Sequence, residues 1–268
     1  MKKRRIITLI GMALFAVSVL SAHDLFIKMD NYFVATNSAI RIPVINGTFA
    51  GSEGSITPDR LIDLSMVTPA GRQHLETSAW SVGDDISYLD VRTAESGTYV
   101  VGVSTKTNEI GMASEDFHGY LEHDGIPDVL AARKQSGATG EVWERYAKHV
   151  KAVFQVGDKR TDGFDAELGY EAEIVVLNNP YELKVGDEIR VRCLVDGKPV
   201  VNQFVLAGGE HGDMPIEERS ARTDSNGEVS FTLDAAGKWY VRFINMTESD
   251  DPEIDYRSKW ATVTFEIR

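Results

Sequence analysis

The chain has 268 residues, 43% hydrophobic and 26% charged, which is enough for one large or two ordinary domains with a real core. Its formal net charge of −13 repels phosphate backbones and excludes nucleic acid as an expected partner. The same acidity favours solubility and attracts cations.

Lys2, Lys3, Arg4 and Arg5 precede an apolar run from Ile6 to Leu20, closed by Ser21 and Ala22. That order is the one of a secretory signal peptide over residues 1–22. The run is short against the roughly 20 residues a membrane span needs. Cleavage is therefore expected after Ser21 or Ala22, with no stable membrane insertion afterwards. Loss of this leader removes four basic residues and no acid, which takes the charge from −13 to −17. Cys193 is the one cysteine, so no internal disulfide and no lipid anchor at the cleavage point are expected. It sits in EIRVRCLVDG, an alternating strand pattern, and reads as a core residue. The expected address is the periplasm.

Residues 23–113 read as a β-rich domain. Short runs such as HDLFIK, AIRIPVI, LIDLSMV, ISYLDVR and GTYVVGVS are separated by Asn46-Gly47, Pro69 to Gly71, Gly83-Asp84 and Ser96-Gly97. Residues 114–155 read as two or three helices that extend this domain. Ser114 stands where an N-cap would, Pro127 suits a first helical turn and Gly137 a stop. Further on, Trp143, Ala147, Val150 and Phe154 recur at helical spacing, which predicts a third helix. A Gly- and Asp-rich bridge at 156–169 marks the best boundary. Residues 170–268 return to strands, about seven, with turns at Asn178 to Pro180, Asp196-Gly197, Ser225 to Gly227 and Ala236-Gly237. The expected fold class is mainly β: two sandwich-like domains, the second immunoglobulin-like or transthyretin-like, with a short helical segment between them.

The order AHD, NGTF, GTYVV, DFHGYLEHDGI, ERYAKHVKAVFQVG, NNPYELKVGDEIRVRCLVDGKPV, RTDSNGEVSF, AGKWYVRFINM and KWATVTFEI resembles the DUF4198 family of exported bacterial proteins across essentially the whole mature chain. Members are often described as periplasmic components associated with nickel or cobalt uptake. The resemblance implies a metal-related role and a histidine near the mature N-terminus, matched by His23. His149 stands where relatives often carry another residue, so no shared role passes to it.

Among candidate ligands, His23 followed by Asp24 would begin or nearly begin the processed chain, where the α-amino group and imidazole can chelate one ion. Imidazole suits nickel, cobalt, copper and zinc. His118 and Glu122, four apart, share one helical face, whereas His118 and His123, five apart, do not. Glu210, His211 and Asp213 cluster in GGEHGD, read as a Gly-rich loop between strands. His74 reads as a surface residue, His149 as a partly buried one, and the acidic run 248–255 as a solvated loop. No nucleophile elbow, Cys/His pair or dinucleotide fingerprint appears, so no catalysis is expected. The first expectation is a soluble protein that binds nickel or cobalt and hands it to a component of an uptake transporter. The alternative is a sandwich module that recognises a protein, peptide or carbohydrate at the cell envelope without metal.

Overall fold

The computed structural model describes residues 24–268. The leader, its cleavage point and His23 lie outside the described residues. Strands come first: β1 (Asp24–Ile27), β2 (Phe33–Val34), β3 (Ala39–Thr48), β4 (Gly51–Gly54), β5 (Leu61–Thr68) and β6 (Gly71–His74). Then follow β7 (Trp80–Val82), β8 (Ser87–Arg92), β9 (Gly97–Thr105) and β10 (Asn108–Ala113). Two helices, α1 (Ser114–His123) and α2 (Pro127–Ser136), precede β11 (Glu141–Val156). The rest is again strand: β12 (Ala172–Val176), β13 (Glu188–Val195), β14 (Lys198–Pro199), β15 (Phe204–His211), β16 (Met214–Arg222), β17 (Glu228–Thr232), β18 (Gly237–Glu248) and β19 (Tyr256–Ile267).

The mainly β sandwich architecture agrees with the expectation, and three sheets build it. A ten-stranded sheet runs β16-β15-β18-β19-β11-β9-β5-β6, with β10 and β2 also paired to β11. A five-stranded sheet contains β1, β3, β4, β7 and β8, and a four-stranded sheet contains β12, β13, β14 and β17. The large sheet is continuous across the chain because β11 pairs in parallel with β19, from Glu144 opposite Tyr256 to Ala152 opposite Thr264. The smaller sheets cover opposite faces of this junction. Thr262 and Thr264 of β19 donate to the Leu25 and Ile27 carbonyls of β1, and Lys148 of β11 reaches Asn46 of β3. Lys151, three residues on and so on the other face of β11, reaches Glu173 of β12.

The third predicted helix is instead β11, a 16-residue strand. The spacing of Trp143, Ala147, Val150 and Phe154 mimics a helical stripe, but these residues do not share an environment: Trp143 is 41% exposed while the other three are buried. A strand hydrogen-bonded on both edges and covered on both faces loses its alternation. Here it also buries Glu144, Lys148, Lys151 and Gln155, which lie off the apolar stripe of a helical reading, and His149, which that reading leaves partly buried.

Of the two true helices, α1 begins at Ser114 itself, whose hydroxyl bonds the Ala138 carbonyl instead of capping, while α2 obeys its local signals. Pro127 opens α2, and Gly137, with φ +64, ends it in the left-handed region that favours glycine. They cap a second apolar core around Phe117, Leu121, Ile126 and Trp260, separate from the main core between the sheets. No described helix is long and apolar enough to cross a membrane.

Candidate functional site

The end of α1, the start of β1 and the β15–β16 hairpin meet around a cavity of about 560 Å³. Its wall includes Asp24, Phe26, Phe49, His123, Asp124, Glu210, Asp213, Glu218, Tyr240 and Arg242. Each element has a local reason to be there. Asp124 follows the last residue of α1, and its N–H closes that helix on the Tyr120 carbonyl. Gly125, with φ +76, turns the chain away into α2. Gly209 lets β15 lie against β18, because a Cβ there would sit 2.1 Å from the Lys238 carbonyl oxygen.

The polar end of the cavity is an ionic network. Arg242 Nη1 lies 3.3 Å from Asp24 Oδ2 and donates to the Asp124 carbonyl at 3.1 Å. Arg242 Nη2 lies 3.2 Å from Glu218 Oε2, which also accepts the Tyr240 hydroxyl at 2.8 Å. Behind these residues, Lys148 bonds Asn46 Oδ1 at 3.2 Å and lies over the Trp260 ring at 5.2 Å. Glu144 accepts from Ser258 and from Tyr120.

Acids outnumber bases in this network: Asp24, Asp124, Glu144 and Glu218 face Arg242 and Lys148. Among the described residues, three buried carboxylate oxygens, Asp24 Oδ1, Asp124 Oδ2 and Glu144 Oε2, have no hydrogen-bond partner. Asp124 is 5% exposed, and the Asp24 side chain 13%. Burial pushes the Asp124 carboxyl up to about 8, and the neighbouring Asp24 charge adds to the effect. Burial likewise raises Asp24 against the opposing pull of Arg242 and Lys148, and raises Glu144. Lys148 is lowered by burial to about 8, although Asp24, Asp124 and Glu144 pull it the other way. An unbalanced buried acid keeps a proton or takes a cation.

Beside the acids the lining is aromatic, because Phe26 follows Asp24 by two residues on β1 and Tyr240 precedes Arg242 by two on β18. Phe26 and Phe49 meet edge to face with centroids 5.2 Å apart, and Tyr240 lies 4.8 Å from Phe49 and 5.3 Å from Phe26. The Lys28 ammonium sits 4.6 Å from the Phe49 ring centre, and bonds Glu210 Oε2 and the Phe49 carbonyl, both at 2.7 Å.

Of the residues singled out from sequence, the cavity gathers Asp24, Glu210 and Asp213. His211 belongs to an adjoining groove, where its Nδ1 lies 2.7 Å from the Ala236 carbonyl. GGEHGD is not a loop: Glu210 and His211 end β15, and only Gly212-Asp213 turn before β16. His118 faces Arg133, whose Nε lies 3.4 Å from its Nε2, and Glu122 is exposed on α1, so this pair stands apart from the cavity. Sequence reasoning passed over His123 for its spacing from His118 and missed Asp124, though both stand beside the glycine that ends α1. Among the described residues, no three or more His, Cys, Asp or Glu side chains are grouped closely enough to hold a metal ion.

His74 is exposed, with its Nδ1 2.7 Å from Asp63 Oδ1. His149 is buried against Ser104, and burial lowers it to about 4. Asp251 in the acidic run pairs with Arg145 and Arg257.

Sheets and cavity together define a mainly β sandwich protein with an acid-floored, aromatic-walled pocket. The chain belongs to the DUF4198 family, a domain of unknown function, whose model matches residues 20–247. No curated protein matches it. Among solved structures it is similar to the D0-D1 domain of Intimin, at 15% identity over 90% of this chain and 97% of that one, with a TM-score of 0.21. A Salmonella alpha-2-macroglobulin reacted with methylamine matches at 13% identity over 90% of this chain and 15% of that one, with a TM-score of 0.26. A DUF4785 family protein from Legionella pneumophila matches at 11% identity over 81% and 51%, with a TM-score of 0.24.

Proposed function

We propose that this is an exported binding protein of the periplasm that captures a cation in the cavity between β1, α1 and the β15–β16 hairpin. The observation that carries the reading is the surplus of buried acid beside it: Asp24 and Asp124 line the cavity, and among the described residues Asp24 Oδ1 and Asp124 Oδ2 have no hydrogen-bond partner. A cation beside these carboxyls offsets the surplus negative charge and displaces the proton that the excess of acid retains.

Nickel or cobalt, passed on to an uptake transporter, is the cargo suggested by family membership. Asp24, His123 and Asp124 offer oxygen and nitrogen donors on one wall, but they do not form a closed ligand set among the described residues. A metal reading therefore requires His23, the residue before Asp24, to supply further donors through its imidazole and, after cleavage, its amine. The anchor residues are then Asp24 and Asp124, with the His118–Glu122 pair and His211 uninvolved.

Equilibrium dialysis of nickel, cobalt, copper and zinc against the natively processed protein tests the metal cargo. Micromolar, stoichiometric binding that weakens about tenfold or more in Asp124→Asn and is unchanged in His211→Ala is the expected result. Retention of full affinity in Asp124→Asn would move any metal site elsewhere.

A further inference from the structure

We infer that Lys148 and Asn46 are a covalent modification site, where an isopeptide bond forms from the lysine side-chain nitrogen to the asparagine side-chain carbonyl carbon and ties β11 of the large sheet to β3 of the five-stranded one. The cross-link is independent of any cation in the cavity.

Proximity is the first argument. Lys148 Nζ lies 3.2 Å from Asn46 Oδ1. With a carbonyl bond of about 1.23 Å, the nitrogen is within about 4.4 Å of Cγ. A small side-chain rotation brings it to the roughly 3–3.5 Å of a near-attack arrangement. Strands, not loops, hold both residues: Lys148 stands opposite Trp260 of β19, and Asn46 opposite Leu25 of β1.

The nucleophile is the second. An ammonium cannot attack a carbonyl, whereas a desolvated, neutral amine can. Lys148 is 6% exposed, and its Nζ lies 5.4 Å from the Tyr146 ring centre and 5.2 Å from that of Trp260. Burial lowers it to about 8, so the neutral amine is within reach near neutral pH.

Proton traffic is the third. Asp24, Asp124 and Glu144 all act on the Lys148 charge, Asp24 most strongly. Burial raises each of them, so each can carry a proton. The Lys148 ammonium gives one proton to such a carboxylate, and the amine then attacks Cγ. The Nζ–Cγ bond forms and the Cγ–Nδ2 bond breaks. The amide nitrogen takes a second proton from Nζ and a third from the carboxyl, and leaves as ammonium. The carboxylate ends as it began, and no oxidant or cofactor is consumed.

The bond would join residues 102 apart. With Cys193 its one cysteine, the chain has no internal disulfide, and this link supplies the same kind of constraint.

The test is mass spectrometry of the folded, natively processed protein, first intact and then after trypsin. The expected result is a mass below that of the processed sequence by one ammonia, about 17 Da. Trypsin should fail to cut after Lys148 and should release one branched peptide that joins segments 42–60 and 146–151. Full mass, with the two segments recovered apart, overturns the inference. Lys148→Met and Asn46→Ala should each restore the full mass, with circular dichroism verifying the fold. Ammonia loss that persists in folded Lys148→Met also overturns it, because the loss then belongs to a succinimide at an Asn-Gly step such as Asn46-Gly47. The unsubstituted chain decides the matter even where a variant fails to fold.

Discussion

Asp124 concentrates the chemistry of the pocket in one side chain. Its carboxyl is raised from 3.8 to about 8, first by burial and then by Asp24. Below about pH 4 it is protonated whether the chain is folded or not. Between about 4 and 8 the unfolded chain gives up the proton while the folded chain keeps it, so its contribution lowers stability as pH rises. Replacement by Asn keeps the shape and removes the titration. Asp124→Asn should therefore stabilise the unliganded protein by about 1–3 kcal/mol at pH 8 and by little at pH 4, as urea unfolding at the two pH values would measure. A variant that is more stable but binds less is the signature of a residue kept for binding. An equal effect at both pH values would mean that Asp124 is not the group holding the proton.

At the scale of elements, the pocket depends on how closely β15 and β18 approach. Gly209 pairs with Trp239, and its missing side chain admits the Lys238 carbonyl. Gly209→Ala forces a methyl into that backbone and should cost about 1–3 kcal/mol, seen as a lower Tm. The variant should also bind its ligand more weakly, because Gly209 and Glu210 both line the cavity. Gly212→Ala, in the open turn beyond β15, meets no atom within 4 Å but stands at φ +60, so its cost is confined to local backbone strain. Elements also separate what sequence reveals from what it hides. The limits of α2 are legible in Pro127 and Gly137, and the strand character of β13 and β17 in their alternation. β11 was hidden because its partners lie far along the chain: β9 precedes it and β19 follows about a hundred residues later.

At the scale of the molecule, one buried ion pair ties the two halves together. Lys151 of β11 and Glu173 of β12 meet at 2.9 Å, with side chains 3% and 2% exposed. Glu173 also accepts the amides of Leu168, at 2.5 Å, and Gly169, and Lys151 donates to the Ala166 carbonyl. The pair thus pins the end of the 156–169 bridge beneath the central sheet. Lys151→Ala leaves Glu173 buried without its cation and should cost about 3–5 kcal/mol. Lys151→Met combined with Glu173→Gln should recover much of that loss, because Gln keeps an acceptor for the two amides. Denaturant melts of the single and double variants measure the coupling. Additive losses would mean that the two side chains do not act as a unit.

Composition, turn chemistry and strand periodicity were enough to establish a mainly β protein with helices in its middle, though a third helix was read where β11 runs, because those signals are local and act over a few neighbouring residues. The order of motifs was enough to place the chain in its family. The pocket was only partly legible. Asp24, Glu210 and Asp213 stood out as acids near a candidate terminus or glycines, yet nothing in their spacing tells that they share a cavity with His123 and Asp124. That fact, like the identity of β11, was decided by tertiary pairing. Strand partners a hundred residues apart set what is buried, and burial, not residue type, raises Asp124 and leaves its Oδ2 without a donor among the described residues.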